Sequence, residues 1–408
     1  MIMQKIRIIS LLIMIAGLAG CALQPSVTAS LPPQEFSKEH LLSGAVILGH
    51  PVTDVDLPNI DILGVNSEMR SFLASVDGGS DSDHFDALVK SLQSKNFSIF
   101  YDADATLDAS EVFEEQRGNC MAFRAFMVAM ARGLGLEIKF NQVFIPETRY
   151  FEGQHTFVYQ HINVIADLGS EQRVLDFNFV DYNPVYRQKT LEDVDAFARF
   201  YSNLAMDFLS QRNIAQAFLY LRKALSLSPD TADLWNNLGA IYRSAGHADQ
   251  AIDAYGVSLA LDSNNMIALS NLEGALRNRG DFALADILFK RIQRYREQNP
   301  YYWYGIALAA YKQEHFELAV EGAKDAISLE RGDHRFHFLL GMARLKVGDN
   351  GYRNSFRQAL TLSAANEDQK RYRRKLDTLG LGDIKPVLPA GRVRRSESIR
   401  PWTWWWYL

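Results

Sequence analysis

Only 2 cysteines occur in 408 residues, Cys21 and Cys120, so no disulfide framework can staple this chain and no Cys-x-x-Cys pair offers a zinc site. Charge is nearly balanced: 43 basic against 48 acidic side chains leave a net -5, which excludes wholesale electrostatic capture of nucleic acid. A bilayer-spanning run is missing too. The apolar stretch from Ile8 to Leu18 is shorter than the ~20 residues that a ~30 Å hydrocarbon core requires. With 12 Pro and 26 Gly, the composition is that of neither a fibrous nor a low-complexity polymer. What remains is a chain that must fold, long enough at ~150 residues per domain for two or three cores.

Lys5 and Arg7 precede the apolar stretch, which ends in Leu18-Ala19-Gly20-Cys21. That order of charge, apolar segment and small residues marks a secretory signal over residues 1–20. The tetrapeptide resembles the lipobox of bacterial lipoproteins, which implies cleavage before Cys21 and diacylation of its thiol. Two acyl chains on one residue meet the two-signal requirement for stable membrane attachment, at ~0.8 kcal/mol per buried CH₂. Removing Lys5 and Arg7 leaves 41 basic against 48 acidic side chains, a balance of -7. Ala22 in place of Asp implies, by the same resemblance, the outer membrane. The expected location is the bacterial cell envelope, on the periplasmic face of that membrane. With Cys21 acylated, Cys120 has no disulfide partner, and a free thiol in an exported chain calls for a chemical explanation.

Residues 21–55 read as the lipidated cysteine and a tether, rich in Pro, Ser and Thr over 24–39. Residues 56–190 alternate helical and strand-like patterns, as a mixed α+β domain does. Helices are expected over 62–76 and 85–92 with a loop at 78–82, then a strand over 97–101. Another helix starts at Asp108 and breaks at 117–119; a longer one runs from Cys120 to about Gly133. Residues 158–165 and 174–179 are β-rich.

From about Tyr201 helices alternate with short turns, and the pattern recurs every 34 residues. Tyr201, Trp235, Leu269, Trp303 and His337 hold one register, Ala217, Ala251, Ala285 and Ala319 a second, and Leu204, Leu238, Leu272, Ile306 and Leu340 a third. Trp235-x-x-Leu238-Gly239-x-x-Tyr242, followed by Gly246, Ala251 and Tyr255, resembles the tetratricopeptide repeat, a pair of antiparallel helices. The resemblance implies an all-α solenoid of about five units over 195–365, with a concave face that takes a protein or peptide partner. The last unit departs: Arg353 replaces the alanine and the phase slips near Tyr352, as in a capping repeat.

The run Glu111-Val112-Phe113-Glu114-Glu115-Gln116-Arg117-Gly118-Asn119-Cys120-Met121-Ala122-Phe123 continues to Ala131-Arg132-Gly133-Leu134-Gly135-Leu136. It resembles the nucleophile segment of the transglutaminase-like superfamily, papain-like proteins with a Cys-His-Asp triad, in which Gly-x-Cys precedes a helix ending in Ala-Arg-x-x-Gly. The fold class so implied is an α+β transglutaminase-like domain followed by an all-α tetratricopeptide solenoid. The layout has a chemical reason: the thiolate attacks, and the unpaired amides of a helix's first turn carry about half a positive charge that favours it. Gly118 is read as permitting a tight turn into that helix and Asn119 as its cap.

A reactive thiol needs a base, and the base an orienting acceptor. Residues 161–165 and 174–177 read as strands around the turn signal Asp167-Leu168-Gly169-Ser170. A turn centred between Leu168 and Gly169 sets His161 directly opposite Asp176; one centred two residues later sets it opposite Val180. His161 and Asp176 also resemble the superfamily's catalytic His and Asp, which implies Cys120 as nucleophile, His161 as base and Asp176 as its orienter. His155 is a rival base, with Tyr182 rather than an acid across from it in the first register. Gln116 lies upstream of the cysteine but matches no superfamily position, so a second oxyanion donor stays unassigned. Ile162-Asn163 replaces the aromatic that often follows the superfamily His. No cofactor or metal is expected: Cys120, His155 and His161 make a poor zinc set without a second cysteine.

Residues 366–408 form a basic, Trp-rich tail, with nine basic against three acidic side chains over 371–400 and four of the six tryptophans in 401–408. It reads as a second membrane contact, as a cap on the solenoid, or as disordered. Two functions stay open. The first is an envelope enzyme transferring or hydrolysing amides through a thioester on Cys120. The second is a non-catalytic assembly lipoprotein whose α+β domain is a binding surface. Both place a protein or peptide partner on the repeats and the membrane at Cys21, without nucleic acid.

Overall fold

The computed structural model describes residues 37–92, 97, 99–144, 150–152, 155–157, 161–169, 171–175, 187–363 and 367–386. Two short helices come first, α1 (Lys38–Leu42) and α2 (Ala45–Leu48), joined through Gly44 at φ 80. The tether expected over 21–55 is therefore not free along its whole length. Leu41 is buried, its carbonyl accepts the Tyr242 hydroxyl at 2.7 Å, and the Leu42 carbonyl accepts Arg222 Nε at 3.1 Å. Leu41, Leu42, Val46 and Ile47 drive this docking by leaving water for the solenoid's surface. Residues 21–36 of the tether, Cys21 among them, lie outside the described residues.

The mixed unit follows, with α3 (Ser67–Leu73), α4 (Asp81–Leu92), β1 (Phe100–Tyr101), α5 (Ala109–Glu115), β2 (Arg117–Gly118) and α6 (Cys120–Gly133). Then come β3 (Glu137–Phe144), β4 (Tyr150–Glu152), β5 (His155–Phe157), β6 (His161–Asp167), β7 (Gln172–Leu175) and β8 (Arg187–Leu191). An antiparallel sheet has the order β7-β6-β3-β8, β4 pairs with β5, and β1 runs parallel to β2. Two helix starts differ from expectation. Asn66 accepts the Met69 amide and so starts α3 later than residue 62, while α4 starts at Asp81, inside the expected loop. Helix α6 packs on β3 and β6 and is buried along most of its length. Its Phe126 stacks on Phe97 at 5.9 Å, with Phe113 and Phe123 closing around it. Toward the sheet it meets the apolar side chains of Ile138, Phe140, Ile162 and Val164.

Five helix pairs build the solenoid: α7 (Asp193–Ser210) with α8 (Ile214–Leu227), α9 (Ala232–Ser244) with α10 (Ala248–Leu261), and α11 (Met266–Arg279) with α12 (Phe282–Gln298). The last two are α13 (Pro300–Lys312) with α14 (Phe316–Leu329) and α15 (His334–Lys346) with α16 (Tyr352–Leu362). In the second and fifth pairs the first helix approaches the second over a glycine. A Cβ on Gly239 would sit 2.4 Å from the Tyr255 ring, and one on Gly341 2.5 Å from Phe356. A final helix, α17 (Glu367–Thr378), stacks its Tyr372 ring on Phe338 at 3.9 Å and buries Leu376. The first part of the expected tail is thus a cap on the fifth pair, and the Trp-rich end lies outside the described residues. One core runs from Leu41 through α6 and the sheet to Ile292 on α12; the fourth and fifth pairs hold two smaller cores of their own.

Candidate functional site

Asp108 caps α5 by accepting the Ser110 and Glu111 amides, and the helix ends at Gln116, held at φ 51 in the left-handed region. The chain then runs along β1, where the Phe100 amide donates to the Gln116 carbonyl at 2.8 Å. Gly118 adopts no positive φ. Its requirement is clearance, because a Cβ there would lie 3.1 Å from that of Ala122 and 3.4 Å from Val112. Asn119 then caps α6, its Oδ1 accepting the Met121 and Ala122 amides at 3.0 Å each. Cys120, the first residue of α6, is a free, partly exposed thiol.

The cap is itself held from the solenoid. Asn119 Nδ2 donates to Thr106 Oγ1 at 2.6 Å, and the Thr106 hydroxyl donates to Asp207 Oδ2 at 2.7 Å. Asp207 belongs to α7; burial raises its carboxyl above the usual range, with the Thr106 hydrogen bond acting in the opposite direction. At the other end of α6, Arg132 donates to the Asp193 carboxylate at the start of α7 and to the Ile138 carbonyl. Both ends of the cysteine helix are therefore tied to the first repeat.

The connection after α6 turns the chain back through Gly135 at φ 80, so β3 runs back along the helix. Thirteen helical steps from Gly133 to Cys120 span ~20 Å, and six strand steps from Glu137 to Val143 span ~20 Å as well. Val143 is the register partner of His161, which brings the His161 backbone to the Cys120 end of this layer. The β6–β7 register corrects the expected one: Val164 faces Leu175 and Asp167 faces Gln172, so the turn is centred between Gly169 and Ser170. Direct opposition of His161 and Asp176 belongs to neither that register nor its described pairs, and Asp176 lies outside the described residues. Gly169 explains the shift. It takes φ 80, and Leu168 N donates to the Glu171 carbonyl at 2.9 Å, closing the turn one residue later than its composition suggested. His155 pairs with Glu152 in the β4–β5 hairpin, and Tyr182 lies outside the described residues.

Asn163, of the Ile162-Asn163 pair that departs from the superfamily's aromatic, is buried and accepts Asn141 Nδ2 at 2.8 Å; the same nitrogen donates to Gln188 Oε1 at 2.8 Å. Asn141, on β3, thereby joins β6 and β8. Among the described residues, no three His, Cys, Asp or Glu side chains converge as a metal site, and no helix is long and apolar enough to cross a membrane.

A second polar feature lies along the first helices of the repeats. Asn237 Nδ2 donates to Ser202 Oγ at 3.0 Å, and Asn271 Nδ2 donates to Asn236 Oδ1 at 2.9 Å. Each bond reaches back 35 residues, so the same contact is made twice between successive units. Exposed Asn203 begins this row, and Asn203, Asn237 and Asn271 stand 34 apart, a polar period legible in the sequence beside the apolar ones.

These pairs form a solenoid of helical repeats, of which residues 198–265 match the tetratricopeptide pattern. The family described as "Tetratricopeptide repeat" matches residues 198–231 and 232–265. BBSome complex member BBS4 of Bos taurus is 25% identical over 147 residues, 36% of this chain and 28% of that protein. The type IV pilus assembly protein PilF of Pseudomonas aeruginosa is 33% identical over 96 residues, 24% of this chain and 37% of that protein. The chain thus spans well under half the length of either curated relative. A solved structure of Pseudomonas aeruginosa PilF has 21% identity and a TM-score of 0.25, covering 46% of this chain and 94% of that one. YrrB, described as a tetratricopeptide protein with an unusual peptide-binding site, has 16% identity and a TM-score of 0.24, covering 44% and 92%.

Proposed function

We propose that this chain is a lipid-anchored envelope protein whose repeats hold a protein or peptide partner and whose Cys120 attacks an amide of that partner. One observation carries the reading: the hydrogen-bonded line from Asn119 through Thr106 to Asp207 holds the cap of the cysteine helix from the first repeat. A thiol held in place by the partner-binding element is suited to act on what that element brings. The segment around Cys120 resembles transglutaminase-like nucleophile segments, the Leu18-Ala19-Gly20-Cys21 sequence supports an acylated Cys21, and the pilus-assembly relative supports the envelope.

In the proposed reaction the Cys120 sulfur bonds to the amide carbonyl carbon, and its proton passes by way of His161, which Asp176 orients, to the departing amine. The thioester then goes to water, giving a carboxylic acid, or to a second amine, giving a new amide; either returns the thiol. The Asn203, Asn237 and Asn271 row offers amide donors and acceptors to an extended partner backbone.

The test compares wild-type, Cys120→Ala and His161→Ala proteins incubated with envelope extract. A partner retained intact by Cys120→Ala and released shortened or cross-linked by the wild type is the expected outcome. The same partner unchanged in all three would contradict the enzyme and leave a docking lipoprotein.

A further inference from the structure

Arg124 lies on α6 one turn beyond Cys120, is only 4% exposed, and its Nε has no hydrogen-bond partner. Other shielded arginines of this unit are paired: Arg132 meets Asp193, and Arg173 meets Asp86 and Glu171. Among the described residues no carboxylate forms an ion pair with Arg124. A guanidinium taken out of water without a counter-charge is strongly unfavourable, and a site that tolerates one is completed by an anion.

The direction of the side chain follows from the helix. Long helical side chains lean toward the N-terminus over the preceding turn, so the Arg124 stem runs back toward Cys120 and Met121. Residues four apart have Cβ atoms ~5–6 Å from one another, which places the guanidinium on the flank of the thiol. The open amide end of α6 adds positive potential to the same place.

We propose that Arg124 receives a carboxylate carried by the substrate within about one residue of the attacked amide, either a chain terminus or an acidic side chain. One helical turn, ~5.4 Å, separates the two groups, and one residue spans ~3.8 Å, so the two substrate atoms must be near neighbours. Arginine suits this task because its planar fork accepts a carboxylate by two parallel hydrogen bonds. The inference rests on Cys120 being the nucleophile.

Two alkylating reagents of nearly equal size, iodoacetate and iodoacetamide, test it on the full chain. In both, the sulfur–carbon bond forms as the carbon–iodine bond breaks, iodide leaves and the thiol proton goes to solvent. Labelling is read on the Cys120 peptide by mass spectrometry, native and unfolded. The iodoacetate-to-iodoacetamide rate ratio should be at least about tenfold higher in the native protein, as a charge-assisted hydrogen bond to the reagent would give. Arg124→Gln should bring the ratio to the unfolded value, and Arg124→Lys should keep part of it. If Arg124→Gln does not fold, the native-to-unfolded comparison of the wild type decides alone. Rapid labelling by both reagents with an unchanged ratio would overturn the carboxylate site and leave the nucleophile standing. Native labelling slower than unfolded with both reagents would overturn both.

Protection from iodoacetamide separates the sources. Alanylalanine but not its amide should protect if a chain terminus binds, and alanylaspartate amide should protect if an acidic side chain does. Protection by alanylalanine amide as strong as that by both alanylalanine and alanylaspartate amide would contradict the proposal.

Discussion

Asn119 uses a single side-chain amide for two tasks: Oδ1 closes the first turn of α6, and Nδ2 holds Thr106. Asn119→Ala should lower stability in denaturant by about 1–2 kcal/mol through the lost cap. It should also slow Cys120 alkylation; a loss of stability with unchanged alkylation would separate the cap from the thiol. The identity of this cap was legible in the sequence, because Asn before an apolar helix accepts the free amides. Its tie to Asp207 was not, since Thr106 and Asp207 stand 101 residues apart and carry no local pattern.

Asp207 adds a pH dependence. Its carboxyl is raised by burial, so the folded protein binds a proton more tightly than the unfolded chain does. Its contribution is fully present below the usual carboxylate range, near 3.9, and is lost as pH rises through the folded value. Asp207→Asn keeps an acceptor for Thr106 and should flatten stability across that window in denaturant titrations at a series of pH values. An unaltered pH profile would show that Asp207 has no such role.

Among the helices, small residues set the spacing. Gly239→Ala would force a methyl against the Tyr255 ring, and such overpacking costs about 1–3 kcal/mol, to be read as a shift in the unfolding midpoint with the far-ultraviolet spectrum preserved. The repeat register was readable to the last unit for a physical reason. Trp235 and Trp303 each donate an indole N–H to a carbonyl six residues back, at 2.7 and 2.9 Å. His337 keeps its place in that register because Nε2 reaches the Arg331 carbonyl at 3.0 Å, the same task from a smaller ring. The β6–β7 register was less legible, since a left-handed glycine moves a turn's centre without changing its composition.

The joint between α12 and α13 is the weak point of the solenoid. Asn299 alone separates the two helices, serving as C-cap of one and N-cap of the next, and the continuous core ends at Ile292. Repeat arrays lose cooperativity where an interface thins. Hydrogen exchange should therefore show residues 300–386 opening before residues 193–298, with Cys120 labelling unchanged over the first step. A single concerted opening would contradict this division.

Across the whole molecule, α1 and α2 lie on the repeats, α6 is tied to α7 at both ends, and the core is shared from Leu41 to Ile292. The two parts had been legible separately, one by its 34-residue period and the other by its Gly-x-Cys helix. Their union was not, because residues far apart in sequence make it. The most direct measurement is the rate at which iodoacetamide alkylates Cys120 at pH 7, native against unfolded, with and without His161→Ala. The account predicts that the native thiol reacts at least about tenfold faster than the unfolded one, with the advantage lost in His161→Ala. A native rate at or below the unfolded rate, indifferent to His161, would contradict it.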